Sequence, residues 1–376
     1  MVSNEEKERI WQAYREGRPI RVPVTLGINA RVVVLDERFN PSGVGFERYF
    51  RDAATAVDIQ IKFMRYRAEY ISRFWDHPSG LPEELAFYVD VQNIYDAAYF
   101  GCPVHFRDGQ VPDITPILDG SGKNDIFAFD LEHPLDNPFV QDCLRRHEAL
   151  RREAAKVSIP SVKTSVAPFL LGWDGPLTIA TQLRGHELFV DLIEDPPYVT
   201  KLMGFLQKAV EIRNRALAQR AGQEAFVGPG GFLADDSIGL ISLAMYKELV
   251  LPPHRQWYAL YGRGPHSIHL CGDATRHFAT LHEELNVCSF DTGFPVDHSR
   301  LRDELGEAVE ILGGPEVGLL VSGSAEQVYE RTKEILLSGV KRGGRFVLRE
   351  GNNLPPHVSE ANLAAMYRAC LEHGGY

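Results

Sequence analysis

Four stretches near the carboxyl end decide the fold: HSIHLCG (266–272), NVCSFDTGF (286–294), GLLVSG (318–323) and RFVLREG (345–351). Each is a short apolar run closed by loop residues and separated from the next by a helix-like segment, so strand and helix alternate. Such alternation implies a parallel sheet with right-handed crossovers, either closed as a barrel or open and doubly wound.

Working outward, RVPVTLGI (21–28) reads as a first buried strand, FYVDVQN (87–93) as a second and PSVKTSVAPFLL (160–171) as a third, with AFVGPGGFLADDS (225–237) returning to the sheet. The count from residue 21 is about eight strands, which favours an α/β fold of the (β/α)8 TIM-barrel type. Residues 1–20 form a charged helical extension capping that barrel, and FERYFRDAATAVDIQIKFMRYRAEYISRF (46–74) carries apolar residues at helical spacing. VTKLMGFLQKAVEIRNRALAQRAG (199–222) is a helix that ends at a glycine. No linker or repeat divides the chain, so residues 1–376 are expected to form a single domain. A Gly-x-Gly-x-x-Gly turn after the first strand and a P-loop are both absent, which argues against a nucleotide-binding open sheet.

Composition narrows the partners. The chain has 44% hydrophobic and 24% charged residues and a net charge of -11, so it can bury a large core while its average surface repels phosphate backbones and anionic lipid. Neither nucleic acid nor a membrane is expected as a partner. With no leader-like amino terminus and no apolar run of spanning length, the cytoplasm is the expected location. Five irregularly spaced cysteines, at 102, 143, 271, 288 and 370, do not make a disulfide framework and are expected as reduced thiols.

Polar residues at the carboxyl ends of barrel strands face the active site. That rule selects Asp90 and Gln92, Asp235 and Asp236, His269 and Cys271, Cys288 and Asp291, then Glu350, Asn352 and Asn353. His269 and Cys271 are two apart on one strand, so their side chains share a face and could converge on zinc; the alternative is a buried thiol beside a satisfied imidazole. Period-two alternation points only one of Asp235 and Asp236 inward, and either one could cap the helix that follows rather than meet substrate. For Arg21, Arg31, Arg184, Arg300 and Arg349, surface salt bridges are the expected partners.

The order of GPLTIATQLRG (175–185), FLADDSIGLISLAMYKELVLPPH (232–254), HLCG (269–272) and the closing RGGRFVLREGNNLPPHVSEANLAAMYRA (342–369) resembles the uroporphyrinogen decarboxylase superfamily, which also contains cobalamin-dependent methyltransferases. The resemblance runs through most of the chain. It implies a barrel, usually dimeric, with a cleft for a tetrapyrrole or for a methyl group presented by a corrinoid protein. The decarboxylase branch carries an arginine-rich loop after its first strand. Here that region reads GINARVVVLDERF (27–39), with only Arg31 near. The family's pyrrole-facing aspartate is kept as Asp90, while its tyrosine falls on Gln182 and its carboxyl-terminal histidine on Asn352 or Asn353. Losing those charge-assisted contacts disfavours uroporphyrinogen as substrate.

The methyltransferase branch is similar in its His-x-Cys, here His269 and Cys271, and usually adds a cysteine as third zinc ligand where this chain has Asn352. Glu350 or Cys288 is the candidate substitute. The expected activity is therefore corrinoid-linked methyl transfer to or from a small molecule, zinc-assisted, with cobalamin as carrier. In it His269, Cys271 and Glu350 position a metal, and Asp90, Asp236 and Asn352 are the catalytic candidates. Gln92, Gln182, Asp235, Asp291 and Asn353 are the substrate-contacting ones. A decarboxylating lyase and a non-catalytic corrinoid or tetrapyrrole binder are the alternatives.

Overall fold

The computed structural model describes residues 2–223, 231–261 and 264–376. They fall into two compact units, one built from Met1–Gly43, Ile59–Pro82 and Ser267–Tyr376, the other from Val44–Asp58 and Glu83–His266.

In the second of these, strand β1 (Glu84–Phe87) leads to a short antiparallel pair, β2 (Val104–His105) with β3 (Asp113–Ile114), and then to β4 (Lys163–Val166), which pairs parallel with β1. Between β3 and β4 runs the helix Pro138–Ala154, whose Asn137 cap accepts from the amides of Phe139 and Val140. The long helix Pro196–Arg220 starts where Asp195 caps the amide of Tyr198 and prolines fill its first turn, whose amides have no intrahelical acceptor anyway. It buries Leu202, Leu206 and Val210 completely. Strand β5 (Phe232–Ala234) follows; the preceding 224–230, which hold the first part of the expected strand 225–237, lie outside the described residues.

The other unit carries the regular alternation. Strands β6 (His266–Leu270), β7 (Val287–Thr292), β8 (Glu310–Gly313) and β9 (Phe346–Leu348) lie side by side in chain order, with β7–β8 and β8–β9 parallel. Helices Phe278–Leu285, His298–Leu305 and Ala325–Leu337 occupy the connections, and Glu360–His373 follows β9. The first expected strand joins the edge of β9: Val24 bridges Leu348 in parallel, and Thr25 donates to the Leu348 carbonyl at 3.0 Å. Ser3 caps the amino-terminal helix Asn4–Arg15, which docks on this unit through Lys7, whose ammonium reaches the carbonyls of Ser72 (2.5 Å) and His77 (3.1 Å). Behind it Arg21 and Asp76 form a two-pronged buried pair at 2.6 and 2.7 Å, and Asp76 also accepts from the Val24 amide and the Tyr367 hydroxyl. Among the described residues no helix is long and apolar enough to cross a membrane.

One expected strand is a helix. GLLVSG, read as strand over 318–323, lies almost wholly in the helix Val317–Ser322, and the strand sits earlier, at Glu310–Gly313. A run of four apolar residues carries no decisive period. What decides is Gly313-Gly314-Pro315: a β-carbon on Gly314 would overlap the backbone oxygen of Arg349, so β8 must end on glycine where β9 closes against it. The helix that follows buries Leu320 and leaves Val321 exposed.

Candidate functional site

At the carboxyl ends of β6, β7 and β9 the structure gathers His269, Cys271, Asp291, Arg349, Glu350 and Asn352. Alternation along β6 explains the first two. Ile268 and Leu270 are buried on one side, so His269 and the following Cys271 turn to the other, both half-buried. Gly293, just past β7, packs directly on the backbone of Cys271, where any β-carbon would overlap the Cys271 carbonyl. The thiol is therefore fixed from behind.

His269 Nδ1 lies 2.7 Å from Asp291 Oδ2, and its Nε2 lies 3.0 Å from Cys271 Sγ. A carboxylate oxygen only accepts, so Nδ1 carries the ring proton and the Nε2 lone pair faces sulfur. On its far side Cys271 Sγ donates to Asn352 Oδ1 at 3.2 Å. One thiol proton thus serves two acceptors, and a nitrogen, a sulfur and an oxygen donor crowd one spot. That donor set, with a histidine oriented by a carboxylate, fits a borderline-soft cation such as zinc, although the amide brings no charge.

Arg349 ties these groups together. Nη1 donates to Asp291 Oδ2 at 2.6 Å, and Nη2 donates to Glu350 Oε1 at 3.2 Å and to the Asn352 carbonyl. Glu350 does not join the His269–Cys271 pair as the third donor expected from the sequence: among the described residues its oxygens do not come within mutual ligating reach of both. It is wholly buried instead, with Oε1 accepting from the Gly27 amide at 2.7 Å. Burial, reinforced by Asp291 and opposed by Arg349 and Gly27, pushes its carboxyl up to about 7. Asn352 has φ +152°, a strained value for a residue with a side chain, and its amide bonds back to the Glu350 carbonyl at 2.8 Å. Asn353 lies alongside Gly27, where an added β-carbon would come within 2.7 Å of its Oδ1.

Apart from Cys288, which is half-buried on β7, the remaining candidates belong to the other unit. Asp90 accepts from the Tyr49 hydroxyl at 3.0 Å and from both amide groups of Gln92 at 2.8 Å, beside a cavity of about 230 Å³ lined by Tyr49, Phe50, Tyr88 and Arg146. Gln92 adopts φ +46°, a left-handed conformation held by that bond to Asp90. Gln182 donates to Asp174 Oδ2 at 3.1 Å, and Tyr95 donates to its Oδ1 at 2.7 Å. Burial and the neighbouring Asp96 hold the Asp174 carboxyl well above the usual carboxylate range, while Asp96 itself is locked to the buried Arg213 at 2.7 Å.

Asp235 and Asp236 separate as alternation requires. Asp235 is fully buried and caps the helix Pro176–Arg184, accepting from the amides of Leu177 (3.2 Å) and Thr178 (2.7 Å) and meeting His254 Nε2 at 2.8 Å. Its carboxylate is consumed inside the fold rather than offered to a substrate. Asp236, half-buried, opens the short turn Asp236–Leu240. Three of the arginines depart from expectation: Arg21, Arg184 and Arg349 are buried in ion pairs, while Arg300 has the exposed pairing expected of it, with Glu304. Residue type does not report burial, so Arg349 and Asp174 carry no signal in the sequence beyond their places near strand ends, and Tyr49, inside the helix Phe46–Arg51, carries none.

The sequence matches the uroporphyrinogen decarboxylase (URO-D) family over residues 5–373. The chain belongs to the uroporphyrinogen decarboxylase family. A methylated-thiol–coenzyme M methyltransferase from Methanosarcina mazei is 33% identical over 202 residues, covering 52% of this chain and 51% of that protein, so the match spans about half of each. A solved methyltransferase structure from Methanosarcina mazei superposes with a TM-score of 0.62 at 15% identity over 99% of both chains. The fold of this family member is accordingly the (β/α)8 barrel expected from the sequence, with Asn4–Arg15 as its amino-terminal helical extension.

Proposed function

We propose that this uroporphyrinogen decarboxylase family member is a methyltransferase that moves a methyl group between a cobalamin, free or protein-bound, and a small molecule, with residues 1–376 as its catalytic domain. The observation that carries the proposal is the arrangement Asp291–His269–Cys271, at 2.7 and 3.0 Å, in which Nε2 and Sγ face each other at the carboxyl end of β6. The name of the relative matched over about half its length, a methylated-thiol–coenzyme M methyltransferase, agrees with it.

In this reading His269 Nε2 and Cys271 Sγ are the two principal metal ligands, and Asn352 Oδ1 supplies a neutral third contact. Zinc, when bound, acts there as a Lewis acid that keeps a thiol or similar acceptor deprotonated and nucleophilic. Asp291 holds the Nδ1 proton so that Nε2 stays available. Glu350 keeps the amide of Gly27 in place and thereby fixes the end of the first strand against the Asn352 loop. The acceptor's lone pair attacks the methyl carbon, and the electron pair of the broken cobalt–carbon bond remains with cobalt. Asp90, Gln92 and Gln182 are assigned contacts to polar groups of the reacting small molecule or corrinoid.

The test is a spectral assay with methylcobalamin and a panel of thiol, amine and methoxy compounds, joined to metal analysis of wild type and Cys271→Ala. Acceptor-dependent loss of the methylcobalamin spectrum, with zinc present in wild type and lost in the variant, is the expected result. Wild-type protein lacking zinc and leaving the methylcobalamin spectrum unchanged with every compound would overturn the proposal. Release of carbon dioxide from a tetrapyrrole carboxylate would replace it with the decarboxylase reading.

A further inference from the structure

We infer that Arg349 is a positioning residue for this site, a single guanidinium that sets the groups on both sides of the Cys271 sulfur. The inference rests on the proposed reading only in calling the site functional; its geometry stands independently.

On one side, Arg349 Nη1 and His269 Nδ1 reach the same oxygen, Asp291 Oδ2, at 2.6 and 2.7 Å. The guanidinium thus fixes the direction in which that carboxylate points. With the carboxylate held, the imidazole proton stays on Nδ1 and the Nε2 lone pair stays on the sulfur side. On the other side, Nη2 holds the carbonyl of Asn352, the residue whose Oδ1 stands 3.2 Å from Sγ and whose backbone is strained at φ +152°. A strained conformation persists only where its surroundings over-determine it, and this bond, with Asn352 N to the Glu350 carbonyl, does so.

The surroundings are shaped for a guanidinium. Its side chain is only 9% exposed. A β-carbon on Gly27 would overlap Nη2, so the glycine leaves that space clear. The backbone is held between strands, with Arg349 N donating to the Gly313 carbonyl at 3.0 Å and Gly351 N to that of Pro315 at 3.0 Å. Three acceptors in three directions match the planar fork of arginine, whereas a lysine ammonium at the end of a flexible stem would satisfy them poorly.

The test reads the His269 imidazole directly. Protein with ¹⁵N-labelled histidine is compared as wild type, Arg349→Met and Arg349→Lys, with His269→Gln assigning the signal. Wild type is expected to show one tautomer, protonated at Nδ1. Arg349→Met is expected to lose that single pattern and show protonation at both nitrogens, and Arg349→Lys, which keeps a donor within reach of Asp291, to restore it. An unchanged Nδ1-protonated pattern in a folded Arg349→Met protein would overturn the inference and leave the arginine a purely structural pair. If the methionine variant does not fold, Arg349→Leu, which likewise keeps no donor, serves in its place with the same two outcomes. The measurement needs neither metal nor turnover. A protein without methyl transfer but with this tautomer response therefore refutes the function and not the role of Arg349.

Discussion

Replacing Glu350 with glutamine should change how stability depends on pH, by an amount that follows from burial. The Glu350 carboxyl rises from an ordinary value of 4.5 to about 7, chiefly because burial disfavours its charged form, with Asp291 adding to the effect. Because the folded form holds a proton that the unfolded chain has already released, stability declines as pH climbs through that window and levels off above it. Two and a half pH units at about 1.4 kcal/mol each give about 3.5 kcal/mol, or roughly three hundredfold in the folding equilibrium. Glutamine keeps an oxygen for the Gly27 amide and for Arg349 but has nothing to titrate. Urea unfolding of both proteins between about pH 5 and about pH 8 should show wild type losing about 2 to 3 kcal/mol relative to Glu350→Gln. Parallel curves, with a difference constant to about 0.5 kcal/mol, would refute the reasoning and mean that water or a cation reaches this carboxylate.

Two further outcomes follow from neighbouring geometry. Asp235→Ala removes the cap of the helix Pro176–Arg184 and leaves His254 without its acceptor, so thermal unfolding should register a loss of about 2 to 4 kcal/mol, whereas a substrate-binding role would instead raise KM at unchanged stability. Gly27→Ala forces a methyl group against Arg349 Nη2 and to within 2.7 Å of Glu350 Oε1, which should cost about 1 to 3 kcal/mol and reduce metal binding in a competition assay with a chromophoric chelator; unchanged stability and metal affinity would show that the loop yields freely.

The sequence by itself determined the alternation of strand and helix, the family, and the shared face of His269 and Cys271, because each is a matter of local order: period, spacing and chain succession. It also narrowed Asp235 and Asp236 to one inward-facing residue, since alternation cannot place both on one side. It could not place the strand at 310–313 rather than 318–323, because short apolar runs read alike and the deciding fact is how closely the Gly314 backbone approaches Arg349. Tertiary structure alone decided that Asp291 stands behind His269 and that Asn352 faces the thiol. It also took Glu350 away from the His269–Cys271 pair and into a buried bond with Gly27, and made Arg349 the joint between them. Those contacts join residues up to more than three hundred positions apart, and a side chain's burial and partners are set by what folds against it rather than by its neighbours in the chain.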